Sequence, residues 1–335
     1  MRRRFLVSLG PAAAFLAVAW MASSSVQAQA KKPYTPPKTS WGDPDLQGTY
    51  TNKAELGTPL ERPKEFEGRE LKDISAAELA DILRRRQEKV VEDARPKPGQ
   101  PEEPHAPIHW SDRYDILSAS RPWLITDPGG MRPPLTEEGR KRNAAVAAAR
   151  KGRGPMDDYS DFDYYDRCIS RTLPGSMMPN ILGNSYQIMQ SPGLVVIRYE
   201  MVHESRIIPV DGRPHVGPAI RQLMGDPRGH FEGSTLVVET TNFTNGYVDG
   251  LGVGPNGQGQ RRSEAFRLVE RFTRIAPDRV EWSATIDDPI VWTRPWTFAM
   301  NLIQDEKEQI FEWACHEGNY GLMNMLSGAR AQEKK

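Results

Sequence analysis

The chain has 335 residues, 38% of them hydrophobic and 26% charged, with a mean hydropathy of −0.61; this excludes a polytopic membrane protein. Its 44 basic and 44 acidic residues cancel, so the global charge does not ask for nucleic acid, an anionic membrane or an acidic polymer as partner. The length suits one large domain or two small ones.

Arg2, Arg3 and Arg4 precede a largely apolar run from Phe5 to Met21, and Ala28-Gln29-Ala30 has the small-x-small form of a cleavage site. Residues 1–30 therefore read as a secretory signal peptide, of the general or the twin-arginine type. Ser8, Gly10 and Pro11 interrupt the run, which argues against a membrane anchor, so no stable span is expected after cleavage. The expected location is periplasmic or secreted, in a bacterium. Cys168 and Cys315 are the two cysteines, and an oxidising compartment favours one disulfide between them over two separate buried thiols.

Residues 31–40 are proline-rich and polar and read as a flexible tether, with the fold starting near Trp41. Residues 41–156 are expected to be a helical and irregular part packed on the outside of a β domain. Ser75 and Glu78 form a capping box ahead of Leu79, Ile82 and Leu83, which predicts a helix over 75–93. A proline-rich linker follows at 95–107, and a second helix runs from about Thr136 to Lys151.

From 157 to 331 short apolar runs alternate with turn residues, the mark of an antiparallel β domain. Candidate strands are 185–190, 194–201, 206–210, 235–241, 265–274, 280–286, 296–303 and 309–315. The spacing gives a mainly β, α+β fold: an antiparallel meander with peripheral helices, closed into a lipocalin-like barrel because closure removes exposed edges.

Several motifs are weaker than their letters suggest. Gly252, Gly254 and Gly257 imitate a dinucleotide fingerprint but lead into a strand-like run rather than a helix, so they read as a loop or lid. His203-Glu204 and His316-Glu317 lack the second histidine of a zinc helix, since Ile207 and Tyr320 stand in its place. No cofactor or metal is expected, although His203, His215, His230 and His316 on different strands leave a dispersed metal site open. No Gly-x-Ser-x-Gly elbow supports a serine nucleophile.

The polar density between 199 and 215 is more informative. If the chain stays extended, Tyr199 and His203 share one face, and Glu200 and Glu204 the other. His203 or His316 as base, Glu200 or Glu317 as its carboxylate partner, and Arg206, Arg213, His215, Arg294, Asn319 and Tyr320 as ligand-holding groups make the candidate site. A salt-bridge network at the barrel rim would produce the same pattern.

The blocks Asp45–Tyr50, Arg206–His215, Phe231–Phe243, Thr293–Thr297 and Ala314–Tyr320 resemble a family of exported bacterial proteins of unassigned activity, over roughly residues 41–330. That resemblance implies export and one continuous unit, and it carries no catalytic residue or substrate. The first functional expectation is a module binding a small polar or sugar-like ligand at the His/Glu/Arg site. The alternatives are a cofactor-free acid/base enzyme (hydrolase, lyase or isomerase) at the same site, or an envelope scaffold.

Overall fold

The structure is a computed structural model that describes residues 34–93, 116–154, 156–180, 183–244, 246–248, 251, 260–305, 307 and 309–333. The expected signal segment 1–30, the linker 95–107 and the glycine loop 252–257 lie outside the described residues. Twelve strands are described: β1 Gly48–Thr51, β2 Ile125–Asp127, β3 Ser185–Ser191, β4 Leu194–Tyr199, β5 Ser205–Pro209, β6 Asp226–Glu232, β7 Thr235–Thr241, β8 Tyr247–Val248, β9 Gln260–Arg261, β10 Arg267–Ala276, β11 Arg279–Asp287 and β12 Trp296–Gln304. Three α-helices accompany them: α1 Ala76–Asp93, α2 Glu137–Ala149 and α3 Gly321–Gln332.

Nine strands follow one another in chain order around a nearly closed antiparallel barrel: β1, β3, β4, β5, then β6, β7, β10, β11, β12, with β12 pairing back to β1. Every hydrogen-bonded pairing in this ring is antiparallel. An odd ring cannot be antiparallel throughout, so β5 and β6 run parallel, and there the order of hydrogen-bonded neighbours stops. A parallel step needs a long crossover, which residues 210–225 supply. At this seam Gly229 of β6 lies so close to β5 that a Cβ would sit 2.8 Å from Val210 Cγ1 and 3.0 Å from Ile208 Cγ2.

Alternation sets the inside. Leu268, Glu270 and Phe272 of β10, Val280, Trp282, Ala284 and Ile286 of β11, and Trp296, Phe298, Met300 and Leu302 of β12 are buried at every second position. With Tyr50, Tyr186 and Tyr199 these rings fill the barrel, and Trp282 meets Phe298 edge-on at 5.5 Å between centroids.

The N-terminal part differs from expectation in two ways. Gly48–Thr51 is a barrel strand between β3 and β12, not an external element. The expected tether is tied down at its end: Pro36 is buried, Lys38 bridges to Pro44, and the Asp45 amide donates to the Pro37 carbonyl. Both expected helices form, and α3 is an addition within the stretch 157–331 expected to be β. Thr136 caps α2 by accepting from the Gly139 amide at 2.9 Å, and α1 buries Ile82 against Phe66 and Trp123, and Leu83 against Ile116 and Ala119. The expected strand at 309–315 is irregular coil. Ile310-Phe311 and Trp313-Ala314-Cys315 are adjacent rather than alternating, and both sides of the preceding strand β12 are already taken by β1 and β11.

Candidate functional site

β5 continues the alternation: Ser205 and Ile207 face out, Arg206 and Ile208 face in. Arg206 is thereby carried into the barrel, where its Nη1 donates to Glu270 Oε2 at 2.6 Å with both side chains at most 1% exposed. Trp282 Nε1 donates to the other Glu270 oxygen at 3.1 Å. Burial opposes the charge on Arg206, and the adjoining Glu270 carboxylate more than offsets it, so the guanidinium pKa lies above its ordinary value. Burial pushes the phenols of Tyr199 and Tyr186 well up. Tyr186 donates to Asn52 Oδ1 at 2.9 Å. Tyr199 Oη, Arg206 Nε and Arg206 Nη2 are buried with no protein partner.

One end of the barrel lies directly beyond this cluster. β4 stops at Tyr199, and the chain doubles back so that the Tyr199 amide donates to the Glu204 carbonyl. Val202 and His203 in the turn take φ of 59° and 42°, and Cys168 and Thr172 take 57° and 52°. A β-branched residue such as Val202 held in the left-handed region costs about 1–3 kcal/mol and persists only where its surroundings impose it. Ser170 Oγ donates to Glu204 Oε2 at 2.9 Å and accepts from the Thr172 amide at 2.8 Å. Burial is the largest influence on Glu204 and raises its pKa, against the hydrogen bonds from Ser170 and the Arg171 amide.

The Cys168–Cys315 disulfide fastens the C-terminal coil to this end, its Cα atoms 5.7 Å apart. Asn319 Nδ2 donates to Cys168 Sγ at 3.3 Å, and His203 Nδ1 donates to the Trp313 carbonyl at 3.1 Å. His203, the disulfide and Asn319 are thus one neighbourhood, with Glu200 half-buried at the start of the turn. The shared faces expected for Tyr199 with His203 do not form: the turn at Met201–His203 breaks the extended geometry, burying Tyr199 and exposing His203.

The remaining candidates disperse. Arg213 pairs with Asp211 on the surface, Arg294 with Asp127 at 2.8 Å, and His316, Glu317 and Tyr320 are exposed. His203 Nδ1 is taken up by the Trp313 carbonyl. Among the described residues the histidine with the closest carboxylates is His215, on the crossover. Its Nδ1 lies 3.0 Å from Asp226 Oδ2 and its Nε2 3.3 Å from Glu239 Oε1. Asp226 also takes Arg228 at 2.6 Å and the Val216 amide at 2.9 Å. With both ring nitrogens engaged, His215 has none left for a substrate, and the arrangement fastens the crossover to β6 and β7. Among the described residues no group of three or more His, Cys, Asp or Glu is placed to hold a metal, so the four dispersed histidines do not converge there.

The reading of the sequence missed Glu270, Trp282, Ser170 and Asp226. Glu270 carried a signal: it shares a face with Leu268 and Phe272 in an otherwise apolar inward row. Ser170 carried none, because its role depends on a turn that no local pattern announces. Comparison with protein-family models, characterised proteins and solved structures gave no match. No described helix is long and apolar enough to cross a membrane. The site offers a buried cation and carboxylate side by side, spare donors on the guanidinium, a buried phenol and a desolvated carboxyl at the rim. That set suits recognition of hydroxyl, amide or carboxyl groups.

Proposed function

We propose that the protein is an exported bacterial module that binds a small polar or sugar-like ligand at the barrel end formed by Ser170, Tyr199, Glu204 and Arg206. The observation that carries the reading is the pair of Arg206 nitrogens and the Tyr199 hydroxyl, buried beside Glu270 without a protein partner. Leaving such groups unmade costs about 1–3 kcal/mol each, and a ligand with matching acceptors recovers it. Export and the family of exported proteins belong to the same reading. The basic-apolar N-terminus and the disulfide support them.

The test is native mass spectrometry of protein purified from its own host, followed by calorimetric screening of sugars and sugar acids against wild type and Tyr199→Phe. A co-purifying polar species, bound several-fold more weakly by Tyr199→Phe, is expected. A bare protein that no member of the screen stabilises overturns the reading.

A second reading, a cofactor-free acid/base enzyme, is favoured by Glu204, a desolvated carboxyl whose raised pKa suits a general acid, next to the strained turn at Val202 and His203. Glu204→Gln separates the two: binding kept with turnover lost selects the enzyme, and binding kept where no wild-type turnover exists selects the module.

A further inference from the structure

An open cleft of about 510 Å³ lies beside α2, bordered by Val146 and the solvent-exposed Ala145 and Ala149 of that helix, by Asp161, and by Arg262 and Glu264 just after β9. Most of the arginines there are paired: Arg150 and Arg153 share Asp161, at 3.0 Å each, and Arg142 reaches Glu138 at 3.2 Å and Glu264 at 3.3 Å. Arg262 is different. It is only 3% exposed, yet among the described residues no carboxylate meets its guanidinium. Nε donates to the Thr244 carbonyl at 2.8 Å, the guanidinium carbon lies 4.8 Å from the Phe243 ring centroid, and Nη1 is buried with no partner. Burial draws its pKa down to about 10, so it remains a cation at neutral pH.

A buried, uncompensated cation is costly, and an anion in the cleft is the group that would compensate it. Guanidinium forks match phosphate oxygens bidentately. The volume is that of a small-molecule site, and Ala145, Val146 and Ala149 give one wall an apolar surface. We infer that this cleft is a second binding site, separate from the barrel end, for an organic anion of the phosphate-monoester class, with Arg262 as the central contact and the α2 alanine and valine side chains holding the apolar body.

The experiment is calorimetric titration of the disulfide-bonded protein with phenyl phosphate, inorganic phosphate and benzyl alcohol. Phenyl phosphate is expected to bind one to one and inorganic phosphate more weakly, and benzyl alcohol should give no saturable heat. Arg262→Gln should weaken phenyl phosphate about tenfold or more. Val146→Trp keeps every charge and fills the cleft, so it should abolish binding even if Arg262→Gln fails to fold. Lys141→Gln removes a positive charge from the exposed side of the same helix and should leave the affinity unchanged. Absence of saturable phenyl phosphate binding at millimolar concentration overturns the proposal. So does equal weakening by Lys141→Gln, which would mark diffuse attraction. Equal affinity for inorganic phosphate overturns the apolar wall. None of these variants touches Tyr199 or Glu204, so failure here and failure at the barrel end are separate results.

Discussion

Arg206 on β5 and Glu270 on β10 meet at 2.6 Å inside the barrel, although β5 and β10 lie on opposite sides of the gap where the hydrogen-bonded ring stops. The pair therefore spans the open seam from within, where backbone bonds do not. Removing one partner leaves an uncompensated buried charge and costs about 3–5 kcal/mol, whereas replacing both with apolar groups of similar volume is near neutral. Urea unfolding should show Glu270→Met strongly destabilised and Arg206→Met/Glu270→Met largely restored. Additive losses in the double variant would mean that the two side chains act independently.

The seam makes a second prediction. A Cβ at Gly229 would meet Val210 and Ile208, both β-branched and stiff at χ1, so Gly229→Ala should force β6 away from β5. The expected loss is about 1–3 kcal/mol, with faster amide exchange in β5 and β6 than in β11. A neutral Gly229→Ala would show that the seam yields freely.

The disulfide closes a sequence separation of 147 residues, for which chain-entropy models give about 4–5 kcal/mol. Cys168→Ser/Cys315→Ser should lose stability on that scale. It should also raise hydrogen exchange in 309–320, because the coil there has no strand partner and keeps only contacts such as that of Trp313 with His203. Unchanged exchange in that coil would show that other contacts hold it.

Burial raises the pKa of Glu204, and the same holds for Glu55, which is 1% exposed and accepts from the Ser120 amide at 2.8 Å. A carboxyl raised in the folded state binds its proton more tightly folded than unfolded. Its favourable contribution is complete below the unfolded value near 4.5 and is lost as pH rises through the folded value. Glu204→Gln, neutral at every pH, should thus be more stable than wild type at neutral pH, and the difference should shrink on acidification towards pH 4. A difference that grows on acidification would mean that the carboxylate is stabilised in the fold.

Much of this fold is legible where periodicity is strong. β7 begins and ends at the expected residues 235 and 241, and β10, β11 and β12 lie within two residues of expectation, because long alternation and acidic turns leave one solution. β6 is not legible, since Asp226-Pro227-Arg228-Gly229 reads as a loop. Only its place beside the unpaired seam tolerates a proline and a glycine. β1 is four residues long and takes its strand identity from β3 and β12 rather than from its own pattern. The candidate site fared similarly. Arg206 was visible as a residue of interest, but its partner is 64 positions away, a distance that only topology bridges. The strained turn at Val202 broke the shared face that extended geometry would have given Tyr199 and His203.

His215 is held as a structural histidine is held. Its ring lies between Asp226 and Glu239, and Asp226 is almost fully buried with Arg228 beside it. A catalytic base needs one nitrogen open to substrate, and this one has none. The crossover it fastens is the connection that an odd-numbered ring requires, so the ring's task is to fix residues 210–225 against β6 and β7. His215→Ala leaves Asp226 its bonds to Arg228 and the Val216 amide, so the loss should be about 1–2 kcal/mol rather than collapse of the barrel. Ligand affinity at Tyr199 and Arg206 should be unaffected. A His215→Ala protein of wild-type stability that no longer binds or turns over a barrel-end ligand would reverse the assignment and move the working site to the outside of the barrel.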